Sequence, residues 1–255
     1  MEERFAIQLT DARVGYDTRT LLRADARLQK GELCALVGRN GTGKSTLLRM
    51  IAGITRPAQG QVTIDGVDIS EVSARKLASL VSFVSTERIS VTNLRVRDVV
   101  SLGRTPYTNW FGSLTANDHR IIDESMERLE ITRFADKRVS TLSDGENARV
   151  MIARALAQQT PVILLDEPTA FLDIAGKYEL CETLAELCHT GKTILFSSHD
   201  LSTVWHTGCS LALIHDGKLH HGTAREMSES VALTQFFESS GFRMDYSTGL
   251  LQRIE

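Results

Sequence analysis

Apolar and polar positions alternate loosely over residues 5–14 and again over 20–28, with a turn signal at Gly15-Tyr16-Asp17 between them. This pattern predicts two antiparallel strands. Leu33-Cys34-Ala35-Leu36-Val37 is different, being continuously apolar and bounded by glycines, which predicts a strand buried in a parallel sheet. It runs into a glycine-rich stretch at 38–46, after which Leu47, Leu48, Met50 and Ile51 give a helix its apolar side. Gln61–Gly66 predicts a strand ending in a turn, 72–80 a helix, and 81–84 a short strand. From 92 to 158 the pattern is mainly helical, marked by Leu94, Val99, Val100 and Leu102, then by Ile121, Ile122, Met126 and Leu129, then by Val150, Ile152, Ala153 and Leu156. Strands resume at 162–165 and 193–198, separated by a helix over 176–189 that Gly191 stops. Leu211–Ile214 and the turn Asp216-Gly217 predict a final hairpin, with His220-His221 on a solvated edge beyond it. The sum is an α/β core interrupted by a helical insert.

Composition changes this picture little. The 255 residues allow a sizeable core, and a net charge of −3 gives no bulk reason to expect a nucleic-acid partner. Apolar runs stay short of the roughly 18–20 residues needed to span a bilayer. The start, Met1-Glu2-Glu3-Arg4-Phe5, does not resemble a signal peptide, so a membrane role is expected to come through a partner. Cys34, Cys181, Cys188 and Cys209 have no paired spacing and are expected to be reduced and mostly buried. Cys181 and Cys188 share a helix face with Leu180, Leu184 and Leu187, which favours packing over metal ligation with His189. Trp110 and Phe111 suit either a buried corner of the insert or the edge of a groove for a partner's helix.

The run Gly38-Arg39-Asn40-Gly41-Thr42-Gly43-Lys44-Ser45-Thr46 fits G-x-x-x-x-G-K-[ST] and stands between a strand and a helix, the context that pattern requires. Its glycines let backbone N–H groups turn toward phosphate oxygens. Lys44 offers charge to the terminal phosphates and Ser45 a hydroxyl to Mg²⁺. Ligands of open parallel sheets sit beyond the carboxyl ends of the strands. Two further predicted strands end in useful groups, Asp166-Glu167-Pro168 and His199. Successive side chains point in different directions, so Asp166 is assigned to the metal and Glu167 to the attacking water as general base. Leu142-Ser143-Asp144-Gly145-Glu146 opens a helix; Ser143 and Glu146 read equally as a capping box or as part of an anion site.

These residues together resemble the ATP-binding-cassette (ABC) ATPases over nearly the whole chain. Gly38–Thr46 resembles their Walker A, Val162–Glu167 their Walker B with its catalytic glutamate, and Leu142–Glu146 the signature usually written LSGGQ. Phe171-Leu172-Asp173 resembles the D-loop, His199 the switch histidine, and Tyr16 the aromatic that stacks on adenine. The resemblance implies a P-loop NTPase (RecA-like) core, over 1–88 and 159–255, with an N-terminal antiparallel β subdomain. A helical subdomain over 89–158 would be inserted in it. It implies ATP and Mg²⁺ bound by Tyr16, Gly38, Arg39, Asn40, Gly41, Thr42, Gly43, Lys44, Ser45 and Thr46. Ser143, Gly145, Glu146 and Asp173 would be contributed across a head-to-tail homodimer. Lys44, Glu167 and His199 would be catalytic, and Ser45, Asp166 and Thr86 would face the metal. A polytopic permease, and indirectly a substrate-binding protein outside it, would place the chain at the cytoplasmic face of the cell (inner) membrane.

Val99–Tyr107, Trp110-Phe111-Gly112, Asp118 and Ala170–Ile174 are more narrowly similar to the ATPases that drive uptake of iron-siderophore complexes, haem or vitamin B12. A cassette ATPase without a membrane partner, an importer of another substrate, and a different P-loop enzyme remain alternatives at this point. The chain departs from the family pattern in three places. Ser85-Thr86-Glu87 stands where a glutamine is usual, Asp144 replaces a signature glycine, and Glu146 replaces a glutamine. Thr86 has a shorter reach to the metal and Glu87 adds charge. Asp144 is expected to repel a γ-phosphate unless it points away, so slower or more partner-dependent turnover is expected.

Overall fold

The computed structural model describes residues 5–16, 19–86, 93–246 and 248–254, with the side chains of Tyr16 and Arg19 excepted. Its strands are β1 (Ile7–Tyr16), β2 (Arg19–Leu28), β3 (Leu33–Gly38), β4 (Gln59–Ile64), β5 (Val67–Asp68), β6 (Val81–Val84), β7 (Val162–Leu165), β8 (Thr193–Ser197), β9 (Ser210–His215), β10 (Lys218–Gly222), β11 (Phe242–Asp245) and β12 (Leu250–Arg253). The helices are α1 (Lys44–Ile51), α2 (Ala74–Leu77), α3 (Val96–Ser101), α4 (Ala116–Arg128), α5 (Asp144–Ala157), α6 (Ile174–His189), α7 (Leu201–His206), α8 (Ala224–Ser228) and α9 (Val231–Glu238).

One sheet runs β5-β4-β1-β2-β10-β9-β3-β8-β7-β6. Its centre is parallel, β3 pairing with β8 and β9, and β7 with β6 and β8. Every residue of β3, β7 and β8 is buried, as continuous apolar runs with both faces covered require. Along β3 the side chains alternate between two cores. Leu33, Ala35 and Val37 join the side packed by α3–α6, while Cys34 and Leu36 join the side formed with α1, β1, β2 and β4.

The antiparallel half is joined to this core by β10, which lies parallel to β2 and antiparallel to β9. The expected solvated edge at His220-His221 is therefore incorrect. Both histidines are half-buried in β10, which pairs with β9 at His220 and His221 and with β2 at Lys218, and His221 is covered further by its contact with Glu32. Nor does the β9–β10 hairpin end the fold. It is followed by α8, α9 and the β11–β12 hairpin, and α9 buries Leu233, Phe236 and Phe237. The helix expected over 72–80 shrinks to the four residues of α2, which starts where Ser73 accepts from the Lys76 N–H and buries none of its residues. β1 continues through Gly15 and Tyr16, so those two residues of the expected turn belong to the strand, and Asp17 lies outside the described residues.

In the helical stretch, Ser143, Thr115 and Asp173 cap α5, α4 and α6. Arg104 forms a buried ion pair at 2.8 Å with Asp118 in the first turn of α4. The four cysteines are free and buried. Trp110 and Phe111 are 98% and 88% exposed, so the buried-corner reading of that pair is overturned. The turn that carries them closes on itself, Asn109 Oδ1 accepting from the N–H groups of Phe111 (3.0 Å) and Ser113 (3.1 Å), and leaves both side chains in solvent. Among the described residues, no helix is long and apolar enough to cross a membrane.

Candidate nucleotide-binding site

β3, β8 and β7 are consecutive parallel strands, so the segments leaving their carboxyl ends share one rim of the sheet. Leaving β3, the chain turns tightly at Gly38. A Cβ there would lie 2.9 Å from the Thr42 hydroxyl and 3.1 Å from the Ile214 carbonyl. Gly43 caps α1 at φ 103°, a conformation that side-chain-bearing residues rarely adopt, and no side chain caps this helix. The N-terminus of α1 thus adjoins the glycine loop with no side-chain cap, the setting in which helix N-termini bind anions. The Lys44 ammonium donates to the carbonyls of Gly38 (2.9 Å) and Arg39 (3.2 Å). Burial lowers the pKa of that ammonium, while the charges of Glu167 and Asp166 act in the opposite direction.

Asp166, at the end of β7, is buried and accepts at Oδ1 from Ser45 (3.1 Å) and Ser197 (2.7 Å). Glu167 follows with φ 51°, a left-handed conformation unusual for a residue with a side chain. The Glu167 N–H donates to the Ser197 hydroxyl at 2.8 Å, and its carboxylate contacts His199 Nε2. The result is a cleft of about 500 Å³ lined by Asn40, Gly41, Lys44, Ser45, Glu167 and His199, among others.

Sequence pattern alone does not single out Ser197. Its one signal is a hydroxyl within the buried strand that leads to His199. Fully buried, it links the Asp166 carboxylate to the strained Glu167 backbone. Ser197→Ala leaves the part-buried Glu167 N–H without its partner and removes one of the two hydroxyls that donate to Asp166 Oδ1, Ser45 being the other. The expected result is turnover lowered by roughly 10–100-fold, the scale for losing a partner that orients a ligand. Steady-state kinetics of the ATP hydrolysis that the resemblance implies, at varied Mg²⁺, provide the check, with Ser197→Thr retaining more activity than Ser197→Ala.

The ABC transporter family model matches residues 21–170, more than half of the chain. The chain belongs to the ABC transporter family. An uncharacterized ABC transporter ATP-binding protein of Methanocaldococcus jannaschii is 38% identical over 81% of this chain and 72% of its own length. The achromobactin transport ATP-binding protein of Dickeya dadantii is 35% identical over 83% of this chain and 79% of its own. Among solved structures, an inward-facing metal-chelate type ABC transporter aligns with a TM-score of 0.80 at 28% identity, covering 92% of this chain and 89% of its own.

Not every residue predicted for the site of this ABC ATPase lines the cleft. The Arg39 guanidinium donates to the hydroxyls of Ser239 (3.0 Å) and Ser240 (2.8 Å), which draws it toward the end of α9. With Thr42 it lines a neighbouring cavity of about 550 Å³. Ser143, Gly145, Glu146 and Asp173 also lie off the cleft. Ser143 and Glu146 form the reciprocal capping box, Ser143 N–H to Glu146 Oε2 at 2.8 Å and Glu146 N–H to Ser143 Oγ at 3.3 Å. The Ser143 backbone bond, foremost, holds the Glu146 carboxyl below its ordinary pKa. A Cβ on Gly145 would lie 2.7 Å from Leu172, and Asp173 accepts from the Gly176 N–H at 2.8 Å. Thr86 is exposed and borders a cavity of about 50 Å³ together with Asp144, Asp166 and Glu167. The Tyr16 side chain and Glu87 lie outside the described residues.

Proposed function

We propose that this ABC ATPase is the ATP-binding and ATP-hydrolysing subunit of an importer. That importer would take up iron chelates (siderophores), haem or vitamin B12 through a separate membrane permease. The observation that carries the ATPase part is the convergence of Lys44, Ser45, Asp166, Glu167 and His199 on the rim of the parallel sheet. The importer part is supported by the relatives that bear achromobactin and metal-chelate names.

In this reading the backbone of 38–46 and the Lys44 ammonium hold the β- and γ-phosphates. Breaking the two Lys44–carbonyl bonds would free the ammonium for the phosphate oxygens. The Ser45 and Asp166 oxygens, 3.1 Å apart and including a carboxylate, suit a hard divalent cation. These two residues would hold Mg²⁺, with Thr86 the third residue assigned to it. Bound there, the ion would neutralise charge on the phosphate oxygens. Glu167 accepts the proton of the attacking water, and His199 holds the γ-phosphate. The assignment of Tyr16 to adenine rests on the sequence resemblance alone, its side chain lying outside the described residues.

Ser143, Gly145, Glu146 and Asp173 are held away from their own chain's cleft, and we assign them to the cleft of a second copy in a head-to-tail dimer. There Asp144 adds a carboxylate close to the transferred phosphate. Asp144→Gly is expected to raise ATP affinity or turnover, with ATPase assays as the check. Residues 89–158 act as the helical subdomain that carries this signature, against a nucleotide core made of 1–88 and 159–255. The permease would hold the chain at the cytoplasmic face of the membrane, with a substrate-binding protein delivering cargo on the other side.

The test is affinity purification of the tagged chain from detergent-solubilised membranes, with mass spectrometry of what accompanies it. A stoichiometric polytopic membrane protein supports the transport reading; a chain that never associates with one overturns it. In the same assay, replacing exposed Trp110 and Phe111 by Ala together is expected to lower the yield of that partner while leaving the fold intact, since neither side chain is packed. An unchanged yield removes those two residues from the interface.

A further inference from the structure

At the end of β3 far from Gly38, three side chains of different chemistry meet. Glu32 immediately precedes the strand and Cys34 is its second residue, so the two share a face. His221 reaches them from β10, across β9, on which Ala212 pairs with His221 and Ser210 with Cys34. One donor atom from each of the three lies within 4.8 Å of the others. His221 Nε2 and Glu32 Oε1 are 2.8 Å apart. Cys34 is fully buried, while the Glu32 and His221 side chains keep 12% and 16% exposure, which leaves a route from solvent.

We propose that Glu32, Cys34 and His221 form a binding site for a divalent cation of the zinc class. A thiol, an imidazole and a carboxylate make a mixed S, N, O donor set, and the sulfur favours zinc over magnesium or calcium. Small rotations of the three side chains contract their spacing onto one ion and replace the Glu32–His221 hydrogen bond. Three protein ligands leave one tetrahedral position for water. Thiolate and carboxylate charges together balance the 2+ charge, so the buried set closes near neutrality. Burial, and then the charge of Glu32, push the Cys34 thiol well above its ordinary pKa; ligation requires the thiolate, so the proton is released to solvent as the cation binds, against that shift. The site does not share a residue with the nucleotide cleft and does not depend on the proposed transport role. It ties the start of β3, the strand that leads into the phosphate loop, to β10. A cation that binds only the folded chain stabilises it.

The test is titration of the reduced, metal-free full chain with Co²⁺, read by absorption. The expected result is a thiolate-to-cobalt charge-transfer band that saturates at one equivalent per chain and is displaced by Zn²⁺. Cobalt held at the Ser45–Asp166 pair has no sulfur ligand and gives no such band. Cys34→Ala is expected to abolish the band, and Cys209→Ala, outside the set, to retain it. Should Cys34→Ala fold poorly, the more exposed His221→Gln decides. It is expected to weaken Co²⁺ binding by more than tenfold, the lower end of the roughly 10–100-fold loss seen for partners one shell further out. Absence of the band in the unmodified chain overturns the proposal, as does a band of unchanged affinity in His221→Gln.

Discussion

Glu167→Gln is expected to lower ATP turnover by about 10²–10⁴-fold, the range for removing a positioned general base. ATP affinity should be kept or improved. The amide keeps the size of the carboxylate and the left-handed backbone is untouched, so the cleft keeps its shape. It cannot take a proton from water, and it removes a negative charge that would face the γ-phosphate. Binding and hydrolysis are thereby uncoupled. With Mg-ATP the variant should accumulate as a dimer in size-exclusion chromatography, whereas the unmodified chain should pass through that state. His199 contacts the same carboxylate, and His199→Ala should also lose turnover. A Glu167→Gln chain that hydrolyses ATP at the original rate would remove Glu167 from the role of base. A monomer in saturating ATP would remove the shared site.

The second large effect is on stability. Arg104→Met is expected to cost about 3–5 kcal/mol, because it leaves a buried carboxylate without its cation. Arg104 is 3% exposed. It donates to Asp118 Oδ1 (2.8 Å), the Ala157 carbonyl (2.8 Å) and Gln159 Oε1 (3.0 Å), with its guanidinium 4.1 Å from the Tyr107 ring centre. It thereby ties the segment after α3 to the end of α5 and the start of α4. In a chain of this size the loss corresponds to a fall of the melting temperature on the order of 10 °C. Thermal or urea unfolding provides the measurement. The double variant Arg104→Met, Asp118→Leu should recover much of the loss, since neither charge then remains buried.

The same pair sets an acid response. The Thr115 hydroxyl first, then the Thr115 N–H, and Arg104 after them, hold the Asp118 carboxyl down to about 2. A pKa lowered by folding stabilises the native state above the unfolded value. That stabilisation fades from about pH 4 and is gone once the pH falls below about 2. Unfolding measured across that window should show a slope that Asp118→Asn reduces.

Much of this protein is legible along the chain because its strongest signals are local. A continuous apolar strand, a glycine turn and a helix must adjoin in sequence to make a phosphate loop, so 33–51 is readable residue by residue. The apolar run 162–165 likewise delivers Asp166 and Glu167 directly to the rim of the sheet. The capping box of Ser143 and Glu146 spans four residues, and it forms as the pattern S-x-x-E predicts.

What the pattern misreads are contacts made across distance. His220 and His221 look like an edge because nothing in their own segment shows that β2 and Glu32, some 200 residues earlier, lie beside it. Trp110 and Phe111 look apolar enough to be buried, yet only the path of the turn decides that they are not. Ser197 has no motif of its own. Its function comes from lying beside β7, where one hydroxyl reaches both Asp166 and Glu167. The Arg104–Asp118 pair spans two helical segments, and Arg39 finds its partners at the far end of α9. The sequence by itself determined the phosphate loop, the acidic strand end and the family they mark, because short-range period and turn chemistry encode them. The tertiary structure decided which buried polar groups hold that machinery in register, and where Glu32, Cys34 and His221 meet, because those pairings exist only once the sheet has closed.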